Sequence, residues 1–299
     1  MTSPKDAGPA PRTFRISVVL PVYNEAENLE DLLRRLMTHL LPGDEVIVVD
    51  DCSTDASREI AARFDVRLIE HPYNMGNGAA VKSGIRAANN EVIVMMDGDG
   101  QHDPEDIDRL LAHLPRFDMV VGARSADSQA NTHRWLANRI YSLFASYVTG
   151  FPIPDLTSGF RAIKRQIARK YLYLLPNTFS YPTTLTLCLI KTGRSVKFVP
   201  IRARARKGKS KIRLLADGSR FLLIIVKIGS IFSPFKVFLP VSAFFFLLGI
   251  AYYSYTFITA HRFTNMSMLL FMTSIIVFML GIIAEQIAQI RLDRSEEEP

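Results

Sequence analysis

Two stretches near the C-terminus, Val237–Ile258 and Asn265–Ala284, contain no charged side chain. Each is close to the ~20 residues that cross the ~30 Å hydrocarbon layer of a bilayer as a helix. Inside lipid the backbone must satisfy its own hydrogen bonds, so an apolar run of that length is driven to a helix. Only a short turn separates the two, which predicts a membrane hairpin. A pair of buried core helices is the alternative. The hairpin also accounts for a composition that is 48% hydrophobic yet 22% charged: the apolar residues are concentrated in one region. Lys227 and Lys236 precede the first span, Arg291 and Arg294 follow the second, and the turn holds only His261 and Arg262. Basic residues flanking the outer ends predict that both ends face the cytosol, together with everything N-terminal to them.

Residues Met1–Arg12 are rich in Pro and Ala and lack an apolar core, so they read as a disordered tail and not as a signal peptide. Two distant cysteines, Cys52 and Cys188, are expected to be free thiols in a cytosolic domain. A net charge of +7 points to phosphates or an anionic membrane surface. Nucleic acid competes for the same charge, but no nucleic-acid motif accompanies it, so no nucleic-acid partner is expected.

Between tail and hairpin, short apolar runs alternate with helical patterns. Phe14–Leu20 reads as a strand closed by Pro21. Ala26–Leu40 places Leu29, Leu32, Leu33, Leu36 and Leu40 at helical spacing. Glu45–Val49 is a second strand, followed by Asp50-Asp51-Cys52-Ser53-Thr54-Asp55, where Ser53 or Thr54 is placed to cap the next helix. Val66–Ile69 is a third strand, then a glycine-bearing turn and a helix over Ala79–Ala88. The alternation predicts an α/β domain with a parallel sheet, which binds ligands at the carboxyl ends of its strands. Polar clusters fall at three such ends: Pro21-Tyr23-Glu25, Asp50-Asp51 and Asp97-Asp99.

The third cluster closes the apolar run beginning at Val92 and reads Met96-Asp97-Gly98-Asp99-Gly100-Gln101-His102. In extended backbone Asp97 and Asp99 leave the same face. Two carboxylates there repel unless a cation separates them, and a hard divalent ion shared with a diphosphate meets that need. Gln101 adds a neutral oxygen. No P-loop or dinucleotide fingerprint is present.

Taken together, Pro21-Val-Tyr-Asn-Glu25, Val48-Val-Asp-Asp-Cys-Ser-Thr-Asp55, Asn74-Met-Gly-Asn-Gly78, the Asp97 cluster, Gly122-Ala-Arg124 and Ser158-Gly-Phe160 resemble family 2 glycosyltransferases. The branch is that of dolichyl-phosphate-mannose-synthase-like, polyprenyl-phosphate glycosyltransferases. The resemblance implies a GT-A fold (a Rossmann-like mixed sheet) over 14–211, after a tail at 1–13. A juxtamembrane amphipathic helix at 212–231, the hairpin at 232–290 and a tail at 291–299 follow. It implies that Pro21, Tyr23, Glu25, Val49, Asp51, Asp97 and Gly98 hold the donor nucleotide. Asp97, Asp99 and Gln101 would bind Mg²⁺ or Mn²⁺, with Asp99, Arg124 and Arg134 as catalytic residues. The implied reaction moves one sugar, with inversion, from a UDP- or GDP-sugar to a membrane polyprenyl phosphate such as undecaprenyl or dolichyl phosphate. The implied location is the inner membrane.

The acceptor side is basic. Arg134–Val148 is an amphipathic helix, read either as packed on the sheet or as lying at the membrane interface. Arg202–Arg213 holds seven basic residues in twelve, among them Arg204, Arg206, Lys209 and Lys211. The resemblance makes this a loop that closes over the donor and acceptor phosphates; a solvated loop touching anionic lipid is the plainer reading. Many relatives carry an acid after the Ser-Gly-Phe motif, where this chain has Tyr181-Pro182-Thr183-Thr184. Two other functions fit the same chain: a glycosyltransferase with a polysaccharide or protein acceptor, and a catalytically silent scaffold that binds nucleotide sugars. Asp155 is the nearby carboxylate that a hydroxyl acceptor would need as base.

Overall fold

The computed structural model describes residues 12–124, 132–177, 181–202, 229–230 and 233–297, with the side chains of 132–138 and 291–297 outside the description. The predicted tail at 1–13, the helix at 212–231 and the basic loop with Arg204, Arg206, Lys209 and Lys211 therefore fall largely or wholly outside it. The chain divides into two compact units, Met1–Ser146 with Phe151–Lys211, and Tyr147–Gly150 with Ile212–Pro299.

The first unit is built on seven strands: β1 (Ile16–Val22), β2 (Glu45–Asp50), β3 (Arg67–Glu70), β4 (Val92–Met95), β5 (Met119–Arg124), β6 (Arg161–Lys164) and β7 (Val196–Ile201). Their order is β3-β2-β1-β4-β6-β5-β7. The half from β3 to β4 is parallel, as the alternation predicts. β6 then runs antiparallel to both β4 and β5, and β7 is parallel to β5. The sheet is thus mixed. β6 escapes periodicity because it has only four residues, begins with Arg161 and ends with Lys164.

β1 is buried at every position and β2 at all but its first. A strand covered on both faces reads as a continuous apolar run, which is why both were legible. Of the helices between strands, α1 (Ala26–Met37) turns Leu29, Leu32, Leu33 and Leu36 fully into the core. Each such leucine contributes roughly 1.5–3 kcal/mol of burial. The remaining helices are α2 (Ser57–Ala61), α3 (Asn77–Ala87), α4 (Asp106–Leu111), α5 (Thr132–Thr149), α6 (Arg165–Lys170) and α7 (Tyr181–Lys191). α5 shows apolar residues in two directions: Tyr141, Ala145 and Val148 are buried, while Ile140 and Leu143 are more than half exposed. Both cysteines are free thiols.

The second unit is a helical hairpin, α8 (Pro234–Ala260) and α9 (Asn265–Glu297). Both are long and apolar enough to cross a membrane. The alternative of buried core helices fails, because Phe244, Leu247, Ile258, Leu269 and Ile275 each expose more than half of their surface. The helices are clasped by Ser242 and Ser274, whose hydroxyls each donate to the other's carbonyl at 2.9 and 3.0 Å. Small residues allow the close approach: a Cβ on Gly281 would lie 2.8 Å from that of Phe238. α9 continues past the predicted span end at Ala284 because Glu285 and the residues beyond it end the apolar run without breaking the helix.

Candidate active site

The register of the parallel half brings three strand ends together. Pro21 pairs with Val49 and Val22 with Asp50, and Val19 of β1 faces Met95 at the end of β4. Asp97 lies two residues past β4, and Gly98 and Asp99 form a turn at the strand end. That turn presses on β1: a Cβ on Gly98 would sit 3.0 Å from the Pro21 carbonyl oxygen. Asp99 accepts the Gln101 N–H at 3.1 Å, which shapes the turn locally.

The β1–α1 and β2–α2 loops interlock. Asn24, at φ 54°, donates its N–H to Ser53 Oγ at 3.0 Å and accepts the Thr54 N–H at 2.7 Å. Glu25 N–H reaches Ser57 Oγ at 2.9 Å and Ala26 N–H reaches Asp55 Oδ2 at 3.0 Å. Ser53 and Thr54 therefore do not cap the following helix as predicted. They hold the Tyr23–Glu25 turn, while Asp55 and Ser57 satisfy the start of α1 from across the sheet edge. Tyr23 is 38% exposed on this braced turn.

Asp51 directly follows β2. It is buried, and its carboxylate accepts from His71 Nδ1 at 2.7 Å, Met75 N–H at 2.8 Å and Gly76 N–H at 2.8 Å. His71 Nε2 in turn meets Ser83 Oγ at 2.9 Å. The carboxylate fastens the turn before α3 to the end of β2. Val49 is fully buried as well, paired in β2 with Pro21 on one side and Ile69 on the other.

Asp97 is the electrostatic centre. Its pKa is pushed up to about 7, first by burial and then by the neighbouring Asp99, with Glu25 adding to the effect. Arg124 and Arg161 pull it down without cancelling the rise. The structure thus brings Glu25, Asp99 and Arg124 within electrostatic range of Asp97. Among the described residues no three His, Cys, Asp or Glu side chains converge on one point. Two carboxylates with Gln101 nevertheless match the partial ligand set of a divalent ion that takes its remaining oxygens from substrate phosphates. The Asp97–Asp99 repulsion is what such an ion would relieve.

Arg124 ends β5 and is held by Asp155. Nε and Nη2 make a bidentate pair at 2.8 and 3.1 Å, the Arg124 N–H adds a bond at 3.1 Å, and Nη2 also reaches Thr157 Oγ1 at 2.6 Å. Asp155 accepts further bonds from the N–H and hydroxyl of Thr157. Burial raises the Asp155 pKa, but the Arg124 charge and these bonds outweigh it and leave it lowered. A carboxylate so occupied is a poor general base. Arg134 lies in the first turn of α5, and its side chain is outside the description.

Two further residues of the site, Arg161 and His102, were given no role by the sequence. Arg161 is fully buried beneath the Ser158–Phe160 turn. His102 is buried and stacked on Phe160, with ring centroids 5.1 Å apart. Burial and then Arg124 push the His102 pKa down to about 4, so the ring is neutral at physiological pH. A buried arginine could be suspected only from Ser-Gly-Phe-Arg read as one unit.

The family description "Glycosyl transferase family 2" matches residues 17–172, and "GtrB C-terminal hairpin" matches residues 233–290. An undecaprenyl-phosphate 4-deoxy-4-formamido-L-arabinose transferase of Photorhabdus laumondii is 32% identical over 187 residues, 56% of this chain and 58% of its own. Its counterpart in Salmonella choleraesuis is 33% identical over 162 residues, 51% of this chain and 50% of its own. The chain thus spans little more than half the length of these two transferases. An uncharacterised protein of Methanocaldococcus jannaschii is 29% identical over 197 residues, 62% of this chain and 80% of its own. Among solved structures, Mycobacterium tuberculosis glucosyl-3-phosphoglycerate synthase with Mn²⁺, UDP and phosphoglyceric acid superposes with a TM-score of 0.59 at 20% identity. That match covers 73% of this chain and 78% of the synthase. It supports the GT-A fold.

Proposed function

The chain belongs to glycosyl transferase family 2 and is a glycosyltransferase, and from that premise we propose that it transfers a single sugar from a nucleoside-diphosphate sugar to a membrane polyprenyl phosphate. The observation that carries this reading is the Asp97–Asp99 pair beside Arg124, on a chain that also bears an apolar two-helix hairpin. The undecaprenyl-phosphate transferases that this chain resembles support the lipid acceptor. The Mn²⁺ and UDP held by the structurally similar synthase support a divalent ion, Mg²⁺ or Mn²⁺, and a UDP- or GDP-sugar donor.

In this reading Asp97, Asp99 and Gln101 hold the ion, and the turn at Pro21, Tyr23 and Glu25 receives the nucleotide. When bound, the ion offsets the charge that gathers on the departing nucleoside diphosphate. Arg124, Arg134 and the basic stretch containing Arg204, Arg206, Lys209 and Lys211 gather the donor and acceptor phosphates. The acceptor phosphate has its second pKa near ~6, so at pH 7 it is largely dianionic and already a nucleophile. No strong base is then required, which agrees with Asp155 being consumed by Arg124. A direct displacement by the phosphate inverts the anomeric carbon. The hairpin sits in the inner membrane with both ends cytosolic, and the exposed Ile140 and Leu143 of α5 meet the lipid interface.

The test is turnover in detergent with undecaprenyl phosphate, Mg²⁺ or Mn²⁺ and a panel of UDP- and GDP-sugars, read by mass spectrometry. A lipid-phosphate sugar that disappears with EDTA and in Asp99→Ala is the expected outcome. Donor binding with no lipid product across several prenyl phosphates would move the acceptor to a polysaccharide or protein, or leave a silent scaffold.

A further inference from the structure

Arg161 is among the largest completely buried side chains of the described residues. Its guanidinium is bound to uncharged oxygens. Nε and Nη2 donate to the Ser158 carbonyl at 2.8 and 2.7 Å, and Nη2 also approaches the Leu156 carbonyl at 3.4 Å. Nη1 donates to the Pro182 carbonyl at 2.7 Å and to Thr186 Oγ1 at 2.9 Å. The fork therefore ties the turn before β6 to the first two turns of α7. α7 contains no Asp or Glu from Tyr181 to Lys191, so that helix offers the guanidinium no carboxylate. A buried arginine is costly, and a structure that needed only a tie could use a neutral side chain.

The tied turn touches the centre of the site. A Cβ built on Gly159 would lie 2.4 Å from Asp97 Oδ2 and 2.8 Å from its Cγ. The Gly159 backbone is thus the wall against which the Asp97 carboxylate rests, and its neighbour Ser158 is the residue Arg161 holds twice. Phe160, next in the chain, carries the stacked ring of His102. Burial lowers the Arg161 pKa to about 10, which leaves it charged at neutral pH, and Asp155 and Asp97 are the carboxylates that favour its charge.

We infer that Arg161 is a positioning residue for the metal and diphosphate end of the site: its planar fork fixes the Ser158–Phe160 turn and thereby the place of the Asp97 carboxylate. This rests on the proposed donor reading. A lysine keeps the charge but presents a single ammonium, which lacks the planar geometry that bridges Ser158, Pro182 and Thr186 together. Partners that orient a metal ligand from behind typically change metal affinity by about 10- to 100-fold when removed.

The experiment is calorimetric titration of the full chain in detergent with Mn²⁺ together with UDP, and separately with GDP, alongside thermal melting. Arg161→Lys is expected to bind the Mn²⁺–nucleotide pair about tenfold more weakly than wild type. Thr186→Val, which removes one acceptor of the fork, is expected to weaken it by about threefold, within the spread of a single hydrogen bond. A purely structural Arg161 would lower the melting temperature and leave the dissociation constant of the folded protein unchanged, and that result overturns the inference. Should Arg161→Lys fail to fold, Thr186→Val decides, and unchanged binding there overturns it equally. A wild-type chain that binds neither UDP nor GDP with Mn²⁺ overturns the donor reading, and this inference falls with it.

Discussion

At Gly159 a hydrogen in place of a methyl group decides where a carboxylate can rest. Gly159→Ala puts a carbon 2.4 Å from Asp97 Oδ2, and the backbone of the turn cannot retreat because Arg161 holds it. Overpacking of this kind costs roughly 1–3 kcal/mol of stability. A displacement near 1 Å at a reacting centre costs roughly a hundredfold in rate. The variant is therefore expected to melt slightly early but turn over about a hundred times more slowly, measured by the lipid-product assay and a thermal scan. Residue chemistry was legible in the sequence where it depends on near neighbours, as in the Asp97–Asp99 pair. Asp51 shows the opposite. At a strand end it reads as a ligand, yet Met75 and Gly76, far along the chain, claim its carboxylate with their N–H groups. Asp155 is likewise taken by Arg124, 31 residues away.

Elements in this fold are finished by their neighbours. No side chain adjacent in sequence caps α1; Asp55, from the loop after β2, and Ser57, at the start of α2, satisfy the first N–H groups. Replacing a helix cap by alanine costs about 1 kcal/mol, so Asp55→Ala is expected to lower stability by that order in chemical denaturation. Burial pushes the Asp55 pKa up, but the Ser57 hydroxyl and the Ala26 and Ser57 N–H groups outweigh it and leave it lowered. A carboxyl with a depressed folded pKa stabilises above its unfolded pKa near ~3.9 and loses that contribution as pH falls through the folded value. The gap between wild type and Asp55→Ala should thus be constant from about pH 8 to pH 5 and close in stronger acid. The parallel strands were legible because they are buried on both faces. β6 was not: its place between β4 and β5 depends on pairing with strands that lie far away in the chain.

On the scale of the molecule, the α8–α9 hairpin predicts how the protein behaves in a cell. A chain held to the membrane by charge is released by salt, whereas one held by two apolar helices is not. Membranes washed with high salt and then alkaline carbonate are expected to retain the protein, and detergent to release it; release by either wash would contradict a spanning hairpin. The sequence by itself determined the hairpin, the α/β half of the sheet and the strand ends that carry Pro21, Asp50 and the Asp97 cluster. Those features follow from hydrophobic period, run length and local turn chemistry, which act between near neighbours. Only the tertiary structure decided the antiparallel place of β6, the burial of Arg161 and His102, and the withdrawal of Asp51 and Asp155 from solvent. It also set Gly159 against Asp97. These depend on which distant segments share the same few ångströms, because the partners of a polar side chain are whatever groups the fold brings within hydrogen-bond reach.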